Sequence, residues 1–280
     1  MEKAIKRYFP IFVLPTMIAF TLGFIIPFVE GVYLSFCKFT TVNDAKFIGF
    51  ANYAKVFADE TFVHAFWYTA AFTVVSVILI NVLAFAVALL LTKGFKGTNI
   101  FRTVFFMPNL IGGIVLGYIW QLLLNGILMK FSRTLTYSST YGIWGLIILM
   151  CWQQIGYMMI IYIAGIQNIP GELIEAAEID GATKWQILKK VTIPMVMPSI
   201  TVCTFLTLTN SFKLFDQNLA LTNGEPSKMS EMLALNIFNT FYGRTGYEGV
   251  GQAKAVIFFI LVTVIALTQN YLTRRKEVQQ

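Results

Sequence analysis

Residues 65–91 read AFWYTAAFTVVSVILINVLAFAVALLL, 27 positions without a charge. As an α-helix, rising about 1.5 Å per residue, the stretch exceeds the roughly 30 Å hydrocarbon core of a bilayer. A membrane β-strand would alternate polar and apolar residues over about ten positions. This run is continuously apolar and rich in Ala, Val and Leu. In lipid every backbone N–H and C=O must be satisfied within the segment, so the run is a helix.

Five further uncharged or nearly uncharged runs flank it. They are Tyr8–Val29 (resuming to Cys37 after Glu30), Thr103–Met129, Thr134–Gly171, Val191–Phe212 and Ala255–Thr273. Six spans are therefore expected, at about 10–36, 64–91, 104–124, 141–166, 195–221 and 252–272. The composition agrees: 57% of residues are hydrophobic and 12% charged, against about 25% charged in a soluble domain. This excludes a disordered chain and a water-soluble enzyme. The three cysteines (Cys37, Cys151, Cys203) all lie in apolar stretches, which excludes a disulfide scaffold. The first run is too long for a signal-peptide core and no small-residue cleavage site follows it.

Lysines and arginines set the expected orientation. With the N-terminus inside, Lys3, Lys6, Arg7, Lys93, Lys96, Arg102, Lys184, Lys189, Lys190, Arg274, Arg275 and Lys276 all face the cytoplasm. Fewer lie in outer segments: Lys38, Lys46, Lys55, Lys130, Arg133, Lys228, Arg244 and Lys254. The asymmetry puts both termini in the cytoplasm. It also explains the net charge of +7 without nucleic acid, because the cations stand at membrane edges. Gly112, Gly113 and Gly117 have the spacing of a close helix–helix contact.

One polar segment stands apart: IPGELIEAAEIDGATKWQILKKVTIP, residues 169–194. Pro170 and the acids after it mark a helix start. Gly181 ends that helix with a left-handed residue. A second short helix is expected over about Thr183–Lys190, and Pro194 closes the unit. Leu173, Ala176 and Ala177 form an apolar strip beside Glu172, Glu175 and Glu178. Such a layout reads as a knob presented to a cytoplasmic partner rather than a mere connection.

The sequence Glu175-Ala176-Ala177, then Gly181, then Val191-Thr192-Ile193-Pro194, resembles the EAA loop of permease subunits of binding-protein-dependent ABC importers. Pro27–Phe36, Phe47–Tyr53 and Leu221–Pro226 are similar to the larger permease of maltose-type carbohydrate importers. The chain lacks that protein's inserted outer domain and extra N-terminal spans. The resemblance implies the type I ABC importer permease fold: all-α, integral to the membrane, with six helices. It implies an N-terminal helix and outer loop over 1–61, a five-helix core over 62–273 with the EAA loop at about 167–194, and a cytoplasmic tail over 274–280. It also implies half of a sugar pathway in the bacterial inner membrane. A second, different permease subunit, two ATP-binding subunits and an extracytoplasmic sugar-binding protein would complete the complex. ATP and Mg²⁺ would sit on the ATP-binding subunits, with no cofactor and no catalysis on this chain. Accordingly, no phosphate-loop motif occurs, and Gly94-Phe-Lys-Gly97 lacks its context. No metal-ligand or nucleophile motif is visible, and the lone His64 reads as structural or solvated. Glu172, Glu175, Ala176, Ala177, Asp180, Gly181 and Lys184 are the expected coupling residues.

The substrate path is expected where polar side chains reach similar depth on the fourth and fifth spans. Gln153, Gln154 and Tyr157 lie on one. Thr207, Asn210, Ser211 and Leu214 share a face of the other, at i, i+3, i+4 and i+7. Amides and hydroxyls bond sugar hydroxyls, and an aromatic stacks on a sugar face. The resemblance places Gln153, Gln154, Tyr157, Asn210, Ser211 and Leu214 at sugar-contacting positions, although several residue types differ. Interhelical hydrogen bonding is the competing reading for each. Lys213 and Asp216, three apart on one helix, are expected to pair or to snorkel outward, with lining the mouth of the path as the alternative. An ion-coupled secondary transporter would need acids at mid-span or internal repeats. Such a transporter would also leave the loop at 169–194 unexplained; a non-transport membrane scaffold is the other alternative.

Overall fold

A computed structural model describes residues 2–94 and 96–274. Residues 275–280 of the expected tail, Arg275 and Lys276 among them, lie outside the described residues. The chain runs α1 (Glu2–Phe20), α2 (Ile26–Leu34), α3 (Ala51–Phe57), α4 (Glu60–Leu91), α5 (Thr98–Phe106), α6 (Gly113–Leu128), α7 (Ser139–Gln167), α8 (Gly171–Ile179), α9 (Lys184–Ile187), α10 (Ile193–Met195), α11 (Met197–Phe212), α12 (Asp216–Leu221), α13 (Leu233–Gly243) and α14 (Glu248–Arg274). The one strand pairing among the described residues joins β1 (Cys37–Lys38) to β2 (Lys46–Phe47), antiparallel.

Five of these helical stretches are long and apolar enough to cross a membrane: Ile11–Leu34, Glu60–Leu91, Gly113–Phe131, Ser139–Gln167 and Glu248–Arg274. A sixth is the pair Lys184–Met195 and Met197–Phe212, bent by 69°. Two spans differ from expectation. The third starts at Gly113 rather than near 104, because Pro108 cannot donate to a helical ladder and Gly112 is extended (ψ 139°). The residues before the break form α5, which packs on α7. The fifth bends at Val196, between Pro194 and Pro198, and ends at Phe212 rather than 221. Residues 216–221 are a separate helix, α12, so Lys213 and Asp216 do not share one.

The chain divides into two compact units, Met1–Glu60 with Ile237–Ile260, and Thr61–Asn236 with Leu261–Gln280. In the first, Asn52 Nδ2 donates to the Ser35 and Cys37 carbonyls at 2.9 and 2.8 Å, fixing the turn out of α2. Phe28 packs on Phe259 at 4.8 Å between ring centres. Lys254, expected in an outer segment, is a buried residue of α14.

The second unit holds the larger core. Phe72 and Ile80 of α4, Leu116 of α6, Leu146, Met150, Met158 and Tyr162 of α7, Cys203 of α11 and Leu221 of α12 are all buried in it. Glycines let helices approach closely. Gly156 of α7 lies against the Phe105 carbonyl of α5. A Cβ at Gly113 would stand 2.7 Å from the Asp216 Cβ, whereas one at Gly112 would touch nothing. The close contact expected of the three glycines is thus made by Gly113 and Gly117, against α12. The remaining faces of the long helices are apolar and exposed, among them Val82, Leu90, Leu122 and Leu267.

Candidate functional site: an exposed helical loop and an amide-lined cavity

Two features of the second unit stand out. The first is the loop over α8 and α9. Glu172 occupies the first turn of α8, where N-terminal amides favour an anion. At the other end Gly181 has φ +75°. Its N–H donates to the Glu178 carbonyl and the Ala182 N–H to the Ala177 carbonyl, each at 3.0 Å. This 6→1 and 5→2 pair satisfies two carbonyls that the helix end leaves open. Thr183 then caps α9: its hydroxyl accepts from Gln186 N–H (3.3 Å), while Gln186 Oε1 accepts from Thr183 N–H (2.7 Å). Two short helices are therefore held by caps at a fixed turn.

Glu172, Glu175, Ala176, Asp180, Gly181 and Lys184 are exposed, and Ala177 is half-buried. None of the charged members forms an ion pair among the described residues. Ile174 turns back to the core. The sequence reading missed two apolar side chains that project furthest, Ile179 (86% exposed) and Trp185 (69%). The available signal was position: each sits in the last or first turn beside the Gly181 corner, where no face of the loop can be covered by its own chain.

The second feature is a cavity of about 280 Å³ lined by Met150, Gln154, Asn210, Lys213, Leu214, Phe215, Asp216 and Gln217. Asn210 Nδ2 donates to Gln154 Oε1 at 3.3 Å, so the two amides do stand at one level across α7 and α11. Gln217 Nε2 donates to Gln153 Oε1 at 2.8 Å, and Gln153 Nε2 to the Ile111 carbonyl at 3.4 Å. Gln153 is thereby spent on holding α12 and the α5–α6 turn.

The expected path residues separate accordingly. Gln154, Asn210 and Leu214 line the cavity. Gln153, Tyr157, Thr207 and Ser211 are not among its lining residues. Tyr157 faces Phe106 at 6.4 Å between ring centres. Thr207 is fully buried, donates to Cys203 O and accepts from Asn81 Nδ2, which is the interhelical role. Ser211 Oγ is buried with no hydrogen-bond partner. Lys213, Phe215, Asp216 and Gln217 join the cavity because the chain leaves α11 at Phe212 and re-enters helix at Asp216. Lys213 and Asp216 form no ion pair with each other. The cavity thus offers amides, one cation and one carboxylate around apolar patches, a donor and acceptor set suited to a polyhydroxylated molecule.

Comparison with known proteins locates this arrangement. A family model described as the binding-protein-dependent transport system inner membrane component matches residues 80–278. The probable starch degradation products transport system permease protein AmyD of Thermoanaerobacterium thermosulfurigenes is 42% identical over 278 residues, 96% of this chain and 94% of AmyD. The trehalose transport system permease protein SugA of Mycobacterium tuberculosis is 32% identical over 234 residues, 81% of this chain and 75% of SugA. Among solved structures, a chain of a bacterial ABC transporter that imports the acidic polysaccharide alginate has the same fold, with a TM-score of 0.82 over 98% of both chains at 23% identity. The inward-facing methionine ABC transporter MetNI matches at a TM-score of 0.59 over 77% of this chain and 96% of its own.

Proposed function

The chain belongs to the family of binding-protein-dependent transport system inner membrane components, and we propose that it forms half of the sugar pathway of an ATP-driven importer. It is a multi-pass membrane permease. The observation that carries the sugar reading is the amide-lined cavity of α7, α11 and α12, standing on the same compact unit as the capped and exposed α8–α9 loop. Relatives named for starch degradation products and trehalose support it.

In this reading the α8–α9 loop docks in a cleft of an ATP-binding subunit, with Ile179 of α8 and Trp185 of α9 as its apolar tip and Glu172, Glu175, Asp180 and Lys184 as its polar rim. The Gly181 corner makes the two short helices move as one body, so a push on α8 reaches α9, α10 and the foot of α11. Closure of two ATP-binding subunits on ATP and Mg²⁺, which they and not this chain hold, then turns the pathway outward. A sugar-binding protein delivers cargo there, and a second, different permease subunit supplies the other half. Both termini and the α8–α9 loop face the cytoplasm, while Asp44 and Arg133 face outward.

Co-purification with its partner subunits and reconstitution in liposomes tests the proposal. ATP inside and binding protein outside should drive uptake of a starch-derived oligosaccharide. Uptake driven by an ion gradient without ATP would overturn it. Cysteine labelling in intact cells checks orientation: labelling of position 96 from outside would defeat the topology.

A further inference from the structure

At the ends of α4 and α7 a second polar cavity, about 340 Å³, is lined by Thr92, Gly97, Asn99, Arg102 and Gln167, among others, with no carboxylate among its lining residues. Arg102 Nε is buried there without a hydrogen-bond partner. Among the described residues the Arg102 side chain forms no ion pair and no hydrogen bond. A guanidinium carries five donors and no acceptor. Stripping one of its nitrogens of water without supplying an acceptor is unfavourable. The sequence offers no remedy nearby, since no Asp or Glu occurs between Glu60 and Glu172. Lys93 and Lys96, both exposed, add positive charge to the same turn.

We propose that this corner is a binding site for a phosphate-class oxyanion held by Arg102. The guanidinium matches such a group in a two-pronged geometry, and the side-chain amides of Asn99 and Gln167, which also line the cavity, supply neutral donors around it. Leu91 and Gln167 are the last residues of two membrane helices, so the cavity opens at the height where headgroups begin. Lysines at that height attract anionic lipid. A lipid phosphodiester therefore has direct access, and soluble phosphate is the other source of the same chemistry. The proposal does not depend on the sugar reading, because its test measures binding and not transport.

The test uses the complex purified with its partner subunits. In detergent, thermal unfolding is followed against inorganic phosphate, with chloride at matched ionic strength. In nanodiscs, phosphatidylcholine alone is compared with phosphatidylcholine plus phosphatidylglycerol, and retained lipid is read by native mass spectrometry. Stabilisation by phosphatidylglycerol, with retained lipid lost in Arg102→Gln and only partly restored in Arg102→Lys, supports a lipid-served site. Stabilisation by phosphate alone, lost in the same variant, supports a site served by the soluble ion. In either arm half-saturation should weaken about tenfold on loss of the charge-assisted bonds. If Arg102→Gln does not assemble, the exposed pair Lys93→Gln/Lys96→Gln must weaken the same response several-fold. Equal responses to phosphate and chloride together with equal retention of the two lipids, or identical behaviour of Arg102→Gln and wild type, would overturn the proposal.

Discussion

The Lys254 ammonium lies 2.7 Å from Asp59 Oδ2, with the lysine side chain fully buried and the aspartate 19% exposed. Thr240 Oγ1 accepts a second bond at 2.8 Å. The two partners are therefore unequal. Removing the carboxylate takes the counter-charge at 2.7 Å away from a buried cation, which costs about 3–5 kcal/mol, whereas an apolar residue in place of the lysine leaves a carboxylate that water still reaches. Asp59→Ala should lower the thermal transition of the purified complex more than Lys254→Met. Equal losses would show that the pair is not governed by burial of the ammonium.

Gly181 stands at φ +75° between α8 and α9. A β-branched side chain resists that conformation by about 1–2 kcal/mol, and the strain can be relieved by unwinding the corner. Gly181→Val should insert and assemble at near wild-type level yet lose transport and stimulation of ATP hydrolysis. Normal uptake by a well-expressed variant would sink the coupling role of the corner.

Asn210 and Thr207 share α11 but meet different surroundings. Asn210 lines the cavity and bonds Gln154; Thr207 is buried in the bond to Asn81. Asn210→Ala and Gln154→Ala should each raise the half-saturation for uptake several-fold, as expected for a lost hydrogen bond of about 0.5–1.5 kcal/mol. Thr207→Val should lower stability and leave half-saturation unchanged. Measuring both quantities for all three separates the roles, and a reversed pattern would move the sugar contacts away from this cavity.

A Cβ at position 117 would stand 2.5 Å from the Ala220 Cβ, with backbone of α12 behind it. Gly117→Val should therefore destabilise the complex by about 1–3 kcal/mol of overpacking. Gly112→Ala, which meets no neighbour within 4 Å, should cost far less in the same melting experiment.

The Asp44 carboxylate, on the loop between β1 and β2, accepts the Thr40 and Thr41 N–H groups at 2.9 and 3.0 Å. The backbone bond from Thr40, then that from Thr41, hold it below its usual range. A depressed carboxylate stabilises the loop above its unfolded pKa of about 3.9 and loses that contribution as pH falls through the lower folded value. Exchange protection of the Thr40 and Thr41 amides should fade only in strong acid. In Asp44→Asn the acid-dependent step should vanish.

The spans were legible in the sequence because a bilayer imposes a length and tolerates few charges. The Gly181 corner was legible because its constraint is local. Where the third and fifth spans break was hidden, since apolar residues continue through Pro108 and from Pro194 to Pro198 while the geometry turns on missing N–H groups. Gln153 and Gln154 are adjacent and chemically alike. Only the positions of Ile111 and Gln217 decide that the first is a brace and the second faces the cavity. Arg102 read as a membrane-edge cation, and nothing local marks that its Nε is shut away from water.

The bend at Val196 sets a mechanical ratio. Asn210 lies 13 residues beyond Met197, about 20 Å along α11. With α7 held fixed, a tilt of about 5° around Val196 sweeps Asn210 through nearly 2 Å, taking its 3.3 Å contact with Gln154 beyond hydrogen-bonding reach. The foot of the same rod, next to α10, hardly moves. The Asn210–Gln154 contact is thus geared to an angle, and a change of slope too small to disturb any helical hydrogen bond is enough to part the two amides.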